Sequence, residues 1–596
     1  MIVKMKKIHL IVQEKDSKRA LKNLALLGVV HVEHLEVLTG EPLSNINQNI
    51  DKINKAIQIL GQISEAKPVK QEVLPREKVE LTVDEILKNS EQIEKLKDNQ
   101  QKRQKLIDYW KAWGDFNLGD INLIKEKGLT VSLYELLSSQ MKQIPTDVLV
   151  EKISISGAIH YCLVVSRGEI ILPGVVVNLP AQSLNDMIRE QKEEQELIVN
   201  KENDIKAKLV YKDLLQDALL QNLDLKSFEE ANAGMQKDGV LSVLKGYCPI
   251  HKESLLRDEA VKNKWGLLLE EPEATDNVPT LLQNNRFIEL VKPVFDFMGI
   301  VPGYHEADVS FCFLLFFSMF FGILIGDAGY GAIFFGLTFY FHQKLKNQVT
   351  DKKPFYLVYF LSFCAIAWGL FTGTFFGASL FGKYVKPVIP WLTDERKMQF
   401  LCFLIGSIHL TIAHVWRALR KGKSLLVLSD VGWIVIIWSA FFYAQQFILN
   451  TAVPAFVNPA VGIAFLIIVA FSQTLADIKK DIPAFVIGIM LTVLSVISTL
   501  IDVISYIRLF AVGLAGLFLA ESFTQMALGI GFRNFFLGLG TIAVLVLGHM
   551  LNVILGVLAV MVHGLRLNIL EFSGHLGLEW SGRAYNPFRQ QYQQKT

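Results

Sequence analysis

Cysteine is scarce. Five occur in 596 residues, and Cys162, Cys248, Cys312, Cys364 and Cys402 form no C-x-x-C pair. That scatter argues against a zinc site or a disulfide framework and permits a reducing cytoplasmic side. A basic run or basic domain is also missing, which removes the electrostatic footprint that nucleic acid requires. No G-x-x-x-x-G-K-[ST], H-E-x-x-H or G-x-S-x-G occurs, and Gly422-Lys423-Ser424 lacks the upstream glycine. Neither nucleotide hydrolysis nor a metal or other cofactor is therefore expected of this chain. A signal h-region is lacking too: the apolar run from Ile8 to Val12 stops at Gln13-Glu14-Lys15-Asp16. The first half is expected to stay in the cytoplasm.

Charge is unevenly distributed. Residues 1–300 hold 40 Lys/Arg and 45 Asp/Glu, whereas residues 301–596 hold 20 and 13. The net charge of +2 is thus −5 from the first half and +7 from the second. With 51% hydrophobic residues overall, this reads as a soluble, charge-rich half followed by a polytopic membrane half.

The soluble half begins β-α-β. Ile8 to Val12 reads as a strand, Asp16-Ser17 cap a helix to about Leu27, Gly28 stops it, and Val29 to Val37 alternates as a second strand. The pattern returns with strand signals at Val240 to Tyr247 and Trp265 to Leu269 flanking a helix from Glu253 to Asn263. Between them, Ile153 to Leu179 is rich in β-branched residues, which predicts more strands. Leu43, Ile46, Ile50, Ile53, Ile57 and Leu60 are spaced 3, 4, 3, 4, 3 as a coiled-coil seam. A weaker seam runs through Ile86, Ile93, Leu96, Ile107 and Trp110, and residues 183–225 read as one long polar helix. The simplest assembly is two α/β lobes joined by an antiparallel coiled-coil arm. A generic coiled-coil scaffold fits this half equally well.

In the second half, apolar blocks lie near 309–341, 355–380, 399–416, 425–449, 459–476, 483–530 and 534–565. The first holds 33 residues, about 50 Å as one helix against a core of ~30 Å. Gly326-Asp327-Ala328-Gly329-Tyr330-Gly331 interrupts it as a tight reversal, giving eight transmembrane helices. With the soluble half inside, loops 342–354, 417–424 and 477–482 carry ten basic residues, and the outer loops carry five: Lys383, Lys386, Arg396, Lys397 and Arg533. The positive-inside rule then places both termini in the cytoplasm. The last two blocks exceed an upright crossing and are expected to tilt.

Two arginines stand in these last blocks. Arg508 lies about twenty residues from each end of its block, with Asp502 and Glu521 the only other charges there. A central arginine costs roughly 2.5–3.5 kcal/mol on insertion scales, so it should face protein or water. Arg566 lies nearer an end, where a snorkelling anchor is an equal reading. His549, Asn552, Gly556, Ala559, His563 and Arg566 form one stripe at helical spacing. Ser505, Arg508, Val512, Ala515, Leu519 and Ser522 share a face of the preceding helix, and Glu521 lies nearly 20 Å outward of Arg508 at ~1.5 Å per residue. This suits two aqueous half-channels separated by a fixed positive charge.

Ser505-Tyr506-Ile507-Arg508-Leu509-Phe510-Ala511 resembles the S-Y-x-R-L-x-A signature of the membrane stator subunit of V/A-type rotary ATPases, called I in bacteria and archaea and a in eukaryotes. Gly326 to Gly331 resembles that family's G-D-x-G-x-G turn, and Val278-Pro279-Thr280 and Tyr304-His305-Glu306-Ala307-Asp308 its linker. His563-Gly564-Leu565-Arg566-Leu567 is similar to its second-arginine motif, and Tyr585-Asn586-Pro587-Phe588 to its tail. The likeness covers the whole chain. It implies a cytoplasmic stator arm at 1–300, a linker at 301–308, a membrane domain at 309–574 and a cytoplasmic tail at 575–596. It implies a multi-pass protein of the bacterial plasma membrane that moves H⁺ or Na⁺ against a rotating c/K ring, coupled to ATP hydrolysis or synthesis, with Arg508 and Arg566 acting in translocation. Half-channel candidates are Asp327, Ser505, Glu521, His549, Asn552, His563 and Glu571. Implied partners are the ring, peripheral stalks of E/G type, a central-stalk socket of d/C type and the lipid bilayer. Val309 stands where the family linker usually has proline, and Gly516 and Gly556 replace polar residues of proton-pumping eukaryotic relatives, so the ion stays open. A self-contained secondary transporter is one rival, although no internal repeat is seen; an anchored scaffold that tolerates loss of Arg508 is another.

Overall fold

A computed structural model describes the chain except residues 34–40, 64–75, 145–147, 169, 171, 347–348, 350, 378–385, 472–481 and 593–596. Lys383, Lys479, Lys480 and part of the expected strand at 29–37 lie outside the described residues.

Strand β1 (Met5–Gln13) alternates as an amphipathic strand should, with Met5, Ile8, Leu10 and Val12 buried. Helix α1 (Ser17–Leu27) follows, and Gly28 closes it in the left-handed conformation, φ 62°, its N–H returning to Leu24 O at 3.0 Å. Strand β2 spans His31–Val32, and residues 34–37 of the expected strand lie outside the described residues. Helices α2 (Glu41–Gly61), α3 (Arg76–Trp110) and α4 (Leu118–Glu126) lead to β3 (Thr130–Leu137), β4 (Leu149–Ser156), β5 (Ile159–Ser166) and β6 (Val175–Val177). These four strands form one sheet in the order β4-β5-β3-β6. Strand β3 went unread in the sequence because Thr130, Ser132 and Glu135 interrupt its run, yet Val131, Leu133, Tyr134 and Leu136 are buried. Helices α5 (Leu184–Ala207) and α6 (Lys212–Ala233) correct the expected single helix at 183–225: a 3₁₀ turn at Lys208–Tyr211 divides it, and the helical path runs on to Ala233. Strands β7 (Gln236–Asp238) and β8 (Leu241–Pro249), helix α7 (Glu253–Asn263) and strand β9 (Gly266–Glu270) complete the first sheet, ordered β2-β8-β1-β9 with β7 on β8.

The described chain divides into two compact units: His9–Gly246 with Leu256–Leu268 and Pro587–Thr596, and Met1–Ile8 with Tyr247–Leu255 and Leu269–Asn586. In the first, α3 and α5 run antiparallel. Lys97 meets Glu202 at 2.8 Å, Gln100 meets Gln195 at 2.7 Å and Arg103 meets Glu194 at 3.0 Å, the partner number falling as the first rises. Their shared core includes Ile53, Ala56, Leu60, Val83, Ile86, Ile93, Ile198 and Ile205, so residues of both expected seams are buried together.

The second unit carries a parallel pair of short strands, β10 (Pro279–Thr280) and β11 (Arg583–Ala584), then α8 (Lys292–Met298) and the apolar helices. Helices α9 (Ser310–Ile325) and α10 (Ala328–Leu345) meet at 117°, the reversal expected at Gly326. Next come α11 (Lys353–Thr372), α12 (Glu395–Lys421), α13 (Val427–Leu449), α14 (Val457–Phe471), α15 (Ile482–Ser505), α16 (Ile507–Ile530) and α17 (Phe535–Ala559). Two π-turns, Val560–Gly564 and Leu567–Phe572, carry the last helix on to Leu576, eleven residues past the expected block end. By length and composition five described helices can cross a membrane, or six if the bent pair counts as one span; α14, at 15 residues, is shorter. These helices make the chain a multi-pass membrane protein. Phe313, Phe317, Phe320, Phe403 and Tyr506 anchor the core of the bundle.

Candidate functional site

Around Arg508 the backbone itself changes. Helix α15 ends at Ser505, Tyr506 forms a turn, and α16 restarts at Ile507. The break frees the Ser505 carbonyl, which accepts from Arg508 Nε at 3.0 Å. Tyr506 is fully buried, and its hydroxyl pairs with His409 Nδ1 on α12 at 2.8 Å. His409 is stacked between Phe316 and Phe572, with ring centroids 3.8 and 4.4 Å away. Gly406 makes the close approach possible: a Cβ there would lie 2.5 Å from the Tyr506 ring. The residue two before the arginine is thus held from three sides.

The second arginine arrives by a different device. A π-turn hydrogen bonds i→i+5, which stacks a residue five positions on over the first, and such turns concentrate at functional sites. The π-turn at Leu567–Phe572 therefore brings Glu571 back toward Arg566. Glu571 is 3% exposed, and its Oε1 lies 2.8 Å from Arg508 Nη2 and 3.4 Å from Arg566 Nε. Its Oε2 is buried without a hydrogen-bond partner. Arg508 is 23% exposed and Arg566 52%, so two cations share one buried carboxylate while keeping an open side. His563 lies one turn before Arg566, half-buried, with Nδ1 unpartnered.

Outward of this cluster, the two expected stripes face each other. Val512, Ala515, Gly516 and Leu519 of α16 and Asn552, Gly556 and Ala559 of α17 line one cavity of about 250 Å³. Tyr330 of α10 closes it. Its hydroxyl pairs with His549 Nδ1 at 2.7 Å and accepts from Asn552 Nδ2 at 3.0 Å, while Asn552 also donates to Gly516 O at 2.8 Å. Glu521 is half-buried, its Oε1 accepting from Gln525 at 3.2 Å.

Asp327 stands apart from the arginine cluster and adjoins the Tyr330 group through the backbone. It caps α10, its carboxylate accepting from Gly329 N at 2.7 Å, Tyr330 N at 3.1 Å, Phe376 N at 3.0 Å and Gly377 N at 3.0 Å. Four backbone donors thus converge on one buried carboxylate, and it pins the loop after α11 to the start of α10. The structure therefore brings Arg508, Arg566, Glu571 and Ser505 together, joins His549 and Asn552 through Tyr330, whose N–H bonds Asp327, and leaves Glu521 apart from both groups. Sequence reading passed over Tyr330, His409 and Tyr506 as partners. The available signal was a tyrosine inside each glycine- or arginine-bearing motif, with a histidine in an otherwise apolar block.

No known family profile matches the chain. It is 31% identical over 624 residues to "V-type ATP synthase subunit I" of Borreliella burgdorferi, covering 99% of each chain. To "V-type ATP synthase subunit I 1" of Treponema pallidum it is 27% identical over 633 residues, covering 99% of this chain and all of the other. An archaeal relative, "A-type ATP synthase subunit I" of Pyrococcus horikoshii, is 27% identical over 332 residues, covering 53% of this chain and 48% of its own. With likeness of that extent behind the arginine-bearing bundle, the chain belongs to the subunit I family of V-type ATP synthases, as a membrane subunit of that rotary complex.

Proposed function

We propose that this subunit is the stator of ion translocation, with Arg508 as the fixed positive charge between two half-channels. The observation that carries the reading is the setting of Arg508: at the break between two apolar helices, tied to Ser505 O and Glu571, and still 23% exposed. Arginine stays protonated under cellular conditions. A carboxylate carried past it by a rotating ring would be driven to its ionised form and release its ion or proton into one half-channel. At ~4 Å and an effective ε of ~20 the attraction is about 4 kcal/mol, enough to displace a bound ion and weak enough to reverse. Glu571 keeps the guanidinium aimed between arrivals. Arg566 shares that carboxylate and supports the same charge.

The last two long helices suit a ring on one side. Only 11% of the most apolar window of each is buried, against 56% for α12. Exposed Ile497, Ile501, Leu551, Ile554, Leu555 and Leu558 leave an apolar surface for a ring or lipid. In this reading α9, α10 and α14 are crossings as well, which brings the count to eight. The basic loops and both termini face the cytoplasm at the plasma membrane. The α2, α3, α5 and α6 helices form a coiled-coil arm that bears torque toward E/G-type stalks, and a d/C-type socket completes the central stalk. Ser505, Glu521, His549, Asn552, His563 and Glu571 frame the half-channels, and Asp327 holds the backbone beside them. The translocated ion is H⁺ or Na⁺.

ATP-driven ion uptake by the assembled complex in proteoliposomes tests this. Arg508→Ala is expected to abolish uptake while the complex still assembles. Retained uptake in that variant overturns the reading.

A further inference from the structure

On the flank of Glu571 away from the stripe cavity lies a chain of four titratable side chains that the arginine cluster does not use. Asp430 Oδ1 of α13 lies 3.3 Å from His414 Nδ1 of α12. His414 Nε2 lies 3.0 Å from His575 Nδ1, and His575 Nε2 lies 3.1 Å from Asp502 Oδ2 of α15. Arg417 Nε also bonds Asp430, and Lys421 Nζ reaches Asp430 Oδ2 at 2.6 Å, so this end of the chain is a carboxylate neutralised by two cations. Arg417 Nη1 also donates to His575 O at 3.2 Å, which fixes that backbone. His414, Asp502, His575 and Glu571 line a second cavity of about 250 Å³.

Counting protons decides what this chain holds. Three hydrogen bonds link the four groups, and each needs one proton between its atoms. Two neutral imidazoles supply two. If both gave their N–H to the flanking carboxylates, His414 Nε2 and His575 Nδ1 would face each other at 3.0 Å as two bare lone pairs. The count does not depend on which tautomer either ring adopts.

We propose that His414 and His575 hold one extra proton between them and that Asp502 passes it to the cavity beside Glu571 and Arg508, as the proton-loading end of one half-channel. This rests on the stator reading above and adds that the ion moving on this side is a proton. The step balances. The N–H bond at His575 Nε2 breaks and an O–H bond forms on Asp502. The shared proton then settles on His575 Nδ1, while His414 keeps its proton on Nδ1. All three hydrogen bonds survive with their direction set toward Asp430, and both imidazoles become neutral. Asp502 now carries the proton at a site 30% exposed to the cavity. Once the proton leaves, one of the three bonds has none, and the vacancy draws the next proton from solvent. Asp430 is not a further exit, because Arg417 and Lys421 already hold it ionised. Glu571 lines the same cavity, and its Oε2, buried and without a hydrogen-bond partner, is the acceptor in this reading.

The test uses the assembled complex in membranes, with histidines labelled by ¹⁵N for solid-state spectra and with ATP-driven proton uptake measured in parallel. The unmodified complex is expected to show one imidazolium resonance pair that His575→Gln removes, with uptake falling at least tenfold. Asp502→Asn is the sharper variant. Its amide oxygen still accepts from His575 Nε2, so the shared-proton signal should remain, but an amide cannot relay the proton, and uptake should fall at least tenfold. Arg508→Ala serves as the control. If it abolishes uptake while Asp502→Asn pumps normally, the relay is overturned and the stator reading stands. Absence of any imidazolium pair in the unmodified complex also overturns the relay. If Arg508→Ala pumps normally, the stator reading falls, and with it the role given to the relay.

Discussion

Glu571 Oε1 stands 2.8 Å from Arg508 Nη2, joining residues 63 positions apart, one at the start of α16 and one in the π-turn after α17. The arginine is thus neither free nor sealed by its partner, because one carboxylate oxygen serves two guanidinium groups. Glu571→Gln keeps the shape and removes the charge. A hydrogen bond to a charged group contributes about 1.5–3 kcal/mol, and partial solvent access at Arg508 places the expected loss at the low end of that range. Thermal unfolding of the purified complex in detergent measures it, and unchanged stability would show that the pair contributes nothing net.

Asp327 invites a different experiment, because its four backbone donors give it a structural duty that a half-channel role does not require. Asp327→Asn retains Oδ1 as the acceptor for three of the four N–H groups and leaves the buried Gly377 N–H unpaired. Such a group costs about 1–3 kcal/mol. Lower yield of assembled complex is expected, with normal ion uptake per assembled complex. Normal assembly with lost uptake would instead assign Asp327 to the ion path.

Gly406→Ala tests how the turn before Arg508 is held. The added Cβ would meet the Tyr506 ring at 2.5 Å, and overpacking of this kind costs about 1–3 kcal/mol. Ion uptake should fall with stability, because Arg508 is displaced along with Tyr506. Tyr506→Phe makes a milder comparison: it removes only the bond to His409, about 1 kcal/mol, and should keep most uptake. Equal uptake by Gly406→Ala and the unmodified complex would refute the proposed coupling.

Cys248 offers a chemical probe outside the membrane helices. Burial pushes its thiol up to about 12, and the side chain is fully inaccessible. Native protein is therefore expected to resist iodoacetamide at this residue at pH 8, as read by mass spectrometry, and to react after unfolding. The sign of the linkage follows from the raised value. The folded state favours the neutral thiol, so its contribution is complete below the ordinary thiol range near 9 and declines as pH rises from there toward 12. Rapid native labelling would contradict this.

Much of this architecture was legible in periodicity. The alternation in β1, the 3-4 seams of α2 and α3 and the glycine-rich reversal at 326–331 are local signals, and the structure contains the strand, the packed helices and the 117° bend. The arginines were legible because a cation in an apolar run is costly. What escaped depended on geometry between distant positions. Nothing in the spacing of Arg566 and Glu571 announces a π-turn, since five residues on an ordinary helix point to different faces. Strand β3 escaped because its polar residues dilute the pattern that burial on a sheet tolerates. At Asp327 the sequence shows a carboxylate in an apolar run and hides the amides around it. His414, Asp430, Asp502 and His575 were scattered across four segments, and only folding aligns them.

The pairing of Pro279–Thr280 with Arg583–Ala584 has a mechanical consequence. The chain enters the apolar bundle beside one of these strands and leaves it beside the other, so every described membrane helix lies on a loop clasped at its base. Torque that would splay α9 from the end of the last helix is carried as shear along a backbone ladder, with Tyr585 N bonded to Thr280 O at 3.0 Å. Rupture there needs several hydrogen bonds to break together, whereas side-chain contacts alone could slip one at a time. On the stator reading proposed above, a bundle that holds Arg508 in place under repeated sideways load is better closed than open-ended.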